Sequence, residues 1–121
     1  MSYHISFKVK VEGLQDRYVN VGDCGANITW NLKDMIKKST GLEWENEENN
    51  GLCKDVIPKI LQGLAELIEH PEKYKQYEAS NGWGTIESCK IFFSTLISDW
   101  NNFCEDGWTS DLADVTYFWI D

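Results

Sequence analysis

The stretch Asn81-Gly82-Trp83-Gly84-Thr85 places an indole between two glycines, directly before an apolar helical pattern. Glycine adopts positive φ angles at little cost, so a tight loop that holds the ring on a short support is expected. An indole stacks on planar ligands, and the N-terminus of the following helix offers backbone N–H groups to an anion. Asn81, Trp83 and Thr85 are therefore candidate ligand contacts. The alternative is structural, with Trp83 as a core anchor and Thr85 as a helix cap.

A second candidate stretch, Thr29-Trp30-Asn31, precedes a helix that is predicted to end near Ser39. Asn31 is expected to be its N-cap residue, with Asp34 as the acid three positions later. Trp30 supplies another ring for stacking, and Thr29 and Asn31 lie where a helix N-terminus attracts negative charge. Capping alone is the alternative role for Thr29 and Asn31.

The acidic side chains form a third set. The protein carries 20 Asp and Glu against 11 Lys and Arg, a formal net charge of −9. Residues 1–41 hold six basic and four acidic groups, whereas residues 42–121 hold five and sixteen. This balance disfavours attraction to nucleic acid or anionic lipid, so neither is expected as a direct partner. Two predicted acidic loops, 40–51 and 105–114, supply candidate contacts to a basic protein partner: Glu43, Trp44, Glu45, Glu47, Glu48 and Trp108.

The sequence contains no GxSxG, HExxH, P-loop or paired-histidine pattern, so an enzyme is not expected. The four cysteines are Cys24, Cys53, Cys89 and Cys104, and they form no CxxC pair. Buried or half-buried free thiols are therefore predicted, with no metal site and no cofactor. Two disulfides are the alternative that secretion would permit. No apolar run reaches the roughly 18 residues of a membrane span and no signal-peptide pattern opens the chain, so a cytoplasmic protein is expected.

These candidate residues must be positioned by strands and helices that periodicity predicts. Strict alternation of apolar and polar residues indicates a strand over residues 3–11, which forms a hairpin with a short strand over 17–21. Residues 22–27 are predicted to be a loop. Amphipathic helices are predicted after an N-cap at Asp55, where Pro58 falls in the first turn, and after Thr85.

The last strand is predicted over residues 115–120, which are apolar on both faces. The fold class is therefore α+β in a single domain, 1–121. An antiparallel sheet of the N-terminal hairpin plus the C-terminal strand, which pairs with the first strand, carries two to three helices on one face. The other face exposes either Tyr117 and Trp119 or Phe118 and Ile120, so a homo-oligomer or a bound partner is expected.

Several of these segments together resemble a family of small, mostly uncharacterised proteins encoded by phages and prophage-like elements. They are the opening strand, the Ile28-Thr29-Trp30-Asn31 stretch, the helix over 51–67, the segment His70-Pro71-Glu72-Lys73-Tyr74 and the Asn81-Gly82-Trp83-Gly84-Thr85 loop. The resemblance covers most of the chain to about Leu96. It implies, by association, a role in countering host defence within the host cell cytoplasm.

Two functions follow as hypotheses. In the first, a non-catalytic protein sequesters a small nucleotide-derived immune signal, with Trp83 or Trp30 stacking the base and helix N-termini holding phosphates. In the second, an acidic anti-CRISPR-like inhibitor covers the nucleic-acid-binding surface of a host defence protein. An enzyme is the third possibility, which the absence of catalytic patterns disfavours.

Overall fold

The computed structural model describes residues 2–14, 17–42, 51–79, 82 and 84–120. The described strands and α-helices follow in the order β1 (Ser2–Lys10), β2 (Tyr18–Thr29), α1 (Lys33–Thr40), α2 (Cys53–Glu69), α3 (Ile86–Glu105) and β3 (Thr116–Ile120). The strands form one antiparallel sheet in the order β2-β1-β3. The predicted α+β class, with an N-terminal hairpin joined by the last strand, is confirmed.

The alternating residues of β1 explain the two faces of the sheet. Tyr3, Ile5 and Phe7 are buried beneath the helices. In β3 the buried set is Thr116, Phe118 and Ile120, so Tyr117 and Trp119 point to the opposite, open face. The pairing Phe7↔Phe118 confirms that the last strand returns to the first. The sequence left open which pair of β3 residues lies on the open face, and the structure shows that it is Tyr117 and Trp119.

Strand β2 corrects the predicted loop over residues 22–27, because the strand continues to Thr29. Two register irregularities, between His4 and Ser6 and between Phe7 and Lys8, absorb the extra residues. A Cβ atom placed on Gly22 would lie 3.4 Å from both Phe7 and Phe103 ring atoms, so the glycine lets β2 pass close to the core rings. Pairing with the long strand β1 overrides the turn preference of Gly, Asp and Asn.

Two predicted helix starts are also wrong. Asn31 lies in a 3₁₀ turn, Trp30–Leu32, and α1 begins at Lys33, one residue later than predicted, with Leu32 as its N-cap and no capping side chain. Helix α2 begins at Cys53 after the extended residue Leu52, so Asp55 lies inside its first turn. The ladder starts with Val56 N–H donating to the Leu52 carbonyl, which places Pro58 in the second turn rather than the first.

The helices pack on the inner face of the sheet. Helix α3 lies against β2, α2 lies against α3 and β3, and α1 packs on α2. Aromatic rings link α3 to β1. Phe7 is edge-on to Trp100 and to Phe103, with distances between ring centroids of 5.5 Å and 5.3 Å. The buried apolar side chains of the described residues form one core.

All four cysteines are free thiols, as predicted. Burial is the main cause that raises the pKa of Cys24 and of Cys89 to about 12, and it also raises the pKa of Cys53. Cys24 donates a hydrogen bond to Asp99 Oδ2 at 3.1 Å, which also favours the neutral thiol. Among the described residues, none of the helices has the length and apolar character that a bilayer crossing requires.

Candidate functional site

The first predicted ligand site lies at the start of α3, and the structure describes only part of it. Asn81 and Trp83 lie outside the described residues, as does the side chain of Trp30. Gly82 and Gly84 have φ angles of 79° and 151°, which confirms the expected positive values. A Cβ atom on Gly84 would lie 3.1 Å from Leu32 Cγ and 3.4 Å from Asn31 Cβ. The two candidate stretches are therefore neighbours in the fold.

Two of the N–H groups in the first turn of this helix, those of Ile86 and Ser88, already have side-chain partners. Thr85 is the N-cap of α3, as predicted, and its Oγ1 accepts from Ser88 N–H at 3.1 Å. Ile86 N–H donates to Glu78 Oε2 at 2.9 Å. The Glu78 carboxylate thus occupies the position that an anionic ligand would take, and its charge opposes a phosphate beside it.

The Thr29 side chain acts within its own turn, because its Oγ1 accepts from Asn31 N–H at 3.4 Å. Thr29 is half-buried and Asn31 is exposed. With Thr85 already capping α3, the described part of this site favours local structural roles for its polar side chains.

The second predicted site, for a protein partner, is described only at Trp108. Glu43, Trp44, Glu45, Glu47 and Glu48 lie outside the described residues. Trp108 is 66% exposed, and its backbone N–H donates to Asp106 Oδ1 at 3.0 Å. Trp108 borders a cavity of about 310 Å³ that is also lined by Asp23, Asp99 and Asp106. Asp99 is held in place there, because Gly25 N–H donates to its Oδ2 at 2.8 Å.

A third site, which sequence reasoning treated only as an apolar patch, lies on the open face of the sheet. Tyr18 of β2 approaches Tyr117 of β3 at 5.4 Å between ring centroids and Trp119 at 4.9 Å. These rings belong to opposite edge strands and meet across β1. We call Tyr18, Tyr117 and Trp119, together with Lys8 of β1, the aromatic face. Each of its four side chains is half-buried, so each keeps part of its surface in solvent.

The strand register produces this arrangement. Lys8 lies directly opposite Tyr117, and Lys10 lies directly opposite Tyr18, so these four side chains share one face. Lys8 Nζ lies 4.5 Å from the centroid of the Trp119 ring, within the range of a cation–π interaction. The Tyr18 ring is edge-on to Tyr117, at 83°, and tilted by 47° from Trp119, so the three rings are not parallel. A planar ligand that carries negative charge could stack on one ring of this group with a lysine beside it.

A hollow of about 290 Å³ adjoins the aromatic face at the end of β3. It is lined by Lys10, Leu52, Asp114, Val115 and Tyr117. Tyr117 therefore belongs to both the hollow and the aromatic face.

The signal for the aromatic face was present in the sequence. Tyr117 and Trp119 have the two-residue spacing of one strand face, and Lys8 lies on the polar face of β1. Tyr18 carried no such signal, because its contact with β3 depends on the register of both pairings.

Comparisons with other proteins add no assignment to this geometry, since no family model, curated protein or solved structure matches the chain. Within the described ranges, no group of three or more His, Cys, Asp and Glu side chains is placed to hold a metal ion.

Proposed function

We propose that the protein is a non-catalytic binding protein that sequesters a small nucleotide-derived ligand on its aromatic face. One observation carries this proposal: three aromatic rings from two strands meet on an open sheet face, with Lys8 Nζ 4.5 Å from the Trp119 ring. The rings supply a stacking surface for a base, and the lysine supplies a positive charge for a phosphate.

The magnitudes favour a small ligand over a nucleic acid. Stacking one base on an aromatic side chain contributes about 1–3 kcal/mol. A polymer gains most of its affinity from many phosphate contacts, and a protein with a net charge of −9 repels such a polyanion. A mononucleotide or dinucleotide carries few charges, and Lys8 and Lys10 lie on the same sheet face to meet them.

The resemblance to phage-encoded proteins provides the biological setting of the proposal. Sequestration of a host immune signal requires tight, reversible binding and no reactive group, so the ligand would be withdrawn from its receptor unchanged. The site of action would be the cytoplasm of the infected cell.

Isothermal titration calorimetry with nucleoside monophosphates and cyclic dinucleotides tests the proposal. Trp119→Ala should weaken binding by roughly tenfold or more, which corresponds to about 1.4 kcal/mol or more of lost stacking. Ile91→Ala is the matched control, because Ile91 is 66% exposed on α3, away from the sheet. Equal affinity of the two variants would refute the assignment of the site.

A second function, the acidic inhibitor of a nucleic-acid-binding host protein, is favoured by the cavity beside Trp108. An exposed indole next to three carboxylates suits the lysine and arginine side chains of a basic surface. Affinity purification from infected host cells separates the two functions. The inhibitor would retain a protein in a manner that Trp108→Ala weakens, whereas the sequestering protein would retain a small molecule detectable by mass spectrometry.

The predicted homo-oligomer is part of the same proposal, because a second copy would also cover Tyr117 and Trp119. Sedimentation of the wild-type protein at micromolar concentration measures the mass of the assembly and so tests this prediction. If the aromatic face is the interface, Trp119→Ala should yield the mass of one chain, and a ligand bound there should shift the wild-type protein in the same direction.

A further inference from the structure

The hollow beside Tyr117 continues the aromatic face beyond the last paired residues of the sheet. Val9 of β1 pairs with Thr116 of β3. Lys10, the next residue of β1, therefore lies beside Val115, which directly precedes β3. On the outer side of β3, Leu52 forms a β-bridge with Tyr117. The hollow is therefore lined by Tyr117 of the aromatic face, by Lys10 of β1 and by Leu52, which pairs with Tyr117.

Its lining combines three kinds of chemistry. Leu52 and Val115 are apolar, and Val115 is 53% exposed. Lys10 supplies a cation and Asp114 supplies a carboxylate, and both are exposed. Within the described part of the chain, neither side chain makes a hydrogen bond or an ion pair with another residue, so both are available to a ligand.

A cation and a carboxylate in one hollow select for a ligand that carries an anion and hydroxyl donors together. A carboxylate accepts hydrogen bonds from sugar hydroxyls, which is how acidic side chains recognise the ribose 2′-hydroxyl in nucleotide sites. A phosphate would be repelled by Asp114 and attracted by Lys10. In a nucleotide, the ribose is bonded to both the base and the phosphate. Tyr117, Asp114 and Lys10 all line this one hollow, so a single nucleotide can contact all three.

We propose that the hollow holds the ribose and a phosphate of the ligand whose base stacks on the aromatic face, with Asp114 accepting from the 2′-hydroxyl and Lys10 binding the phosphate. This inference rests on the proposed function and narrows the ligand to ribonucleotides with a free 2′-hydroxyl. The volume of about 290 Å³ fits part of a ligand, since pockets for whole small molecules span roughly 300–1,000 Å³.

Calorimetry with AMP, GMP, CMP and UMP, each beside its 2′-deoxy counterpart, tests the inference. The wild-type protein should bind the best ribonucleotide about tenfold more tightly than its deoxy form, the effect of one hydrogen bond to a charged group. Asp114→Ala should bring this ratio close to one. Asp111→Ala is the matched control, because Asp111 is an exposed acid of the same 3₁₀ segment, Ser110–Val115, and should leave the ratio unchanged.

Lys10 is tested by comparing each nucleotide with its nucleoside. Lys10→Ala should remove most of the preference for the phosphorylated form, whereas the change should not alter the preference for ribose over deoxyribose. The ratio of two ligands on one variant is not affected by a general change in protein stability. The ratio of ribose to deoxyribose forms is also not affected by a change in protein charge, because both ligands carry the same charge.

The outcomes separate the inference from the function on which it rests. If Trp119→Ala abolishes binding but Asp114→Ala keeps the tenfold preference for ribose, the aromatic face stands and the assignment of the hollow is overturned. If none of the nucleotides or nucleosides binds the wild-type protein, the nucleotide-binding function fails and the inference fails with it.

Discussion

Gly63 lies buried in the middle of α2, where α1 and α3 come closest, and its replacement by alanine probes the packing that supports the sheet. A Cβ atom at this position would lie 2.5 Å from Thr40 Cγ2 and 3.3 Å from Phe93 Cε2. The threonine cannot rotate away without cost. Its Oγ1 donates to the Ile36 carbonyl at 2.7 Å and accepts from Leu42 N–H at 3.1 Å.

Two opposing effects determine the size of the change. Overpacking of a core costs about 1–3 kcal/mol, and a separation of 2.5 Å places this site in the upper half of that range. Alanine is favoured over glycine in a helix by about 1 kcal/mol. Gly63→Ala should therefore lower the free energy of unfolding by about 1–2 kcal/mol, and the melting temperature by roughly 4–8 °C.

Urea and thermal unfolding followed by circular dichroism measure this change. Gln62→Ala, at an exposed position of the same helix, is the control and should change stability by less than about 0.5 kcal/mol. Thr40→Ser removes the clashing methyl group and keeps the hydroxyl, so Gly63→Ala combined with Thr40→Ser should recover part of the loss. A Gly63→Ala protein as stable as the wild type would refute the close approach of α1 to α2.

Two further predictions concern the cap of α3 and the buried thiols. Thr85→Ala should lower the free energy of unfolding by about 1 kcal/mol, because Thr85 Oγ1 accepts the Ser88 N–H hydrogen bond that caps the helix. Nucleotide affinity should be unchanged. A loss of affinity without a loss of stability would instead support the helix start as the ligand site. Burial raises the pKa of Cys24 and of Cys89 from 9.0 to about 12, so unfolding should release protons between these pH values. As the pH rises from 9 to 12, the free energy of unfolding should fall by up to about 1.4 kcal/mol per pH unit for each thiol. A free energy of unfolding that does not change from pH 9 to 11 would contradict the burial of these two thiols.

Much of the fold was predictable because buried residues recur along the sequence at the spacing of a strand or of a helix. The alternation in β1 and the apolar stripe of α3 depend only on which residues avoid water, and both match the structure. The start of α1 was not predictable, because Asn31 favours an N-cap locally but lies in a 3₁₀ turn against the Gly84 loop. The continuation of β2 through Gly22 and Gly25 likewise depends on pairing with β1 and on the hydrogen bond from Gly25 to Asp99.

The candidate site was less predictable than the fold, because it depends on contacts between residues far apart in the sequence. Glu78, eight residues before Ile86, places a carboxylate on the start of α3, and no local pattern indicates this. The aromatic face requires Tyr18 and Trp119, 101 positions apart by their numbers, to meet across β1. Only the register of both strand pairings brings them together.

Ligand binding on the aromatic face is tested most directly by titrating ¹⁵N-labelled protein with ribonucleoside monophosphates and following the amide and indole chemical shifts. The ring current of a stacked base shifts the nuclei closest to it, so the changes locate the ligand. We expect the largest changes at Lys8, Tyr117 and Trp119, with smaller ones at Lys10 and Asp114. Changes confined to residues 82–88, or to the surroundings of Trp108, would contradict the assignment of the binding site to the aromatic face.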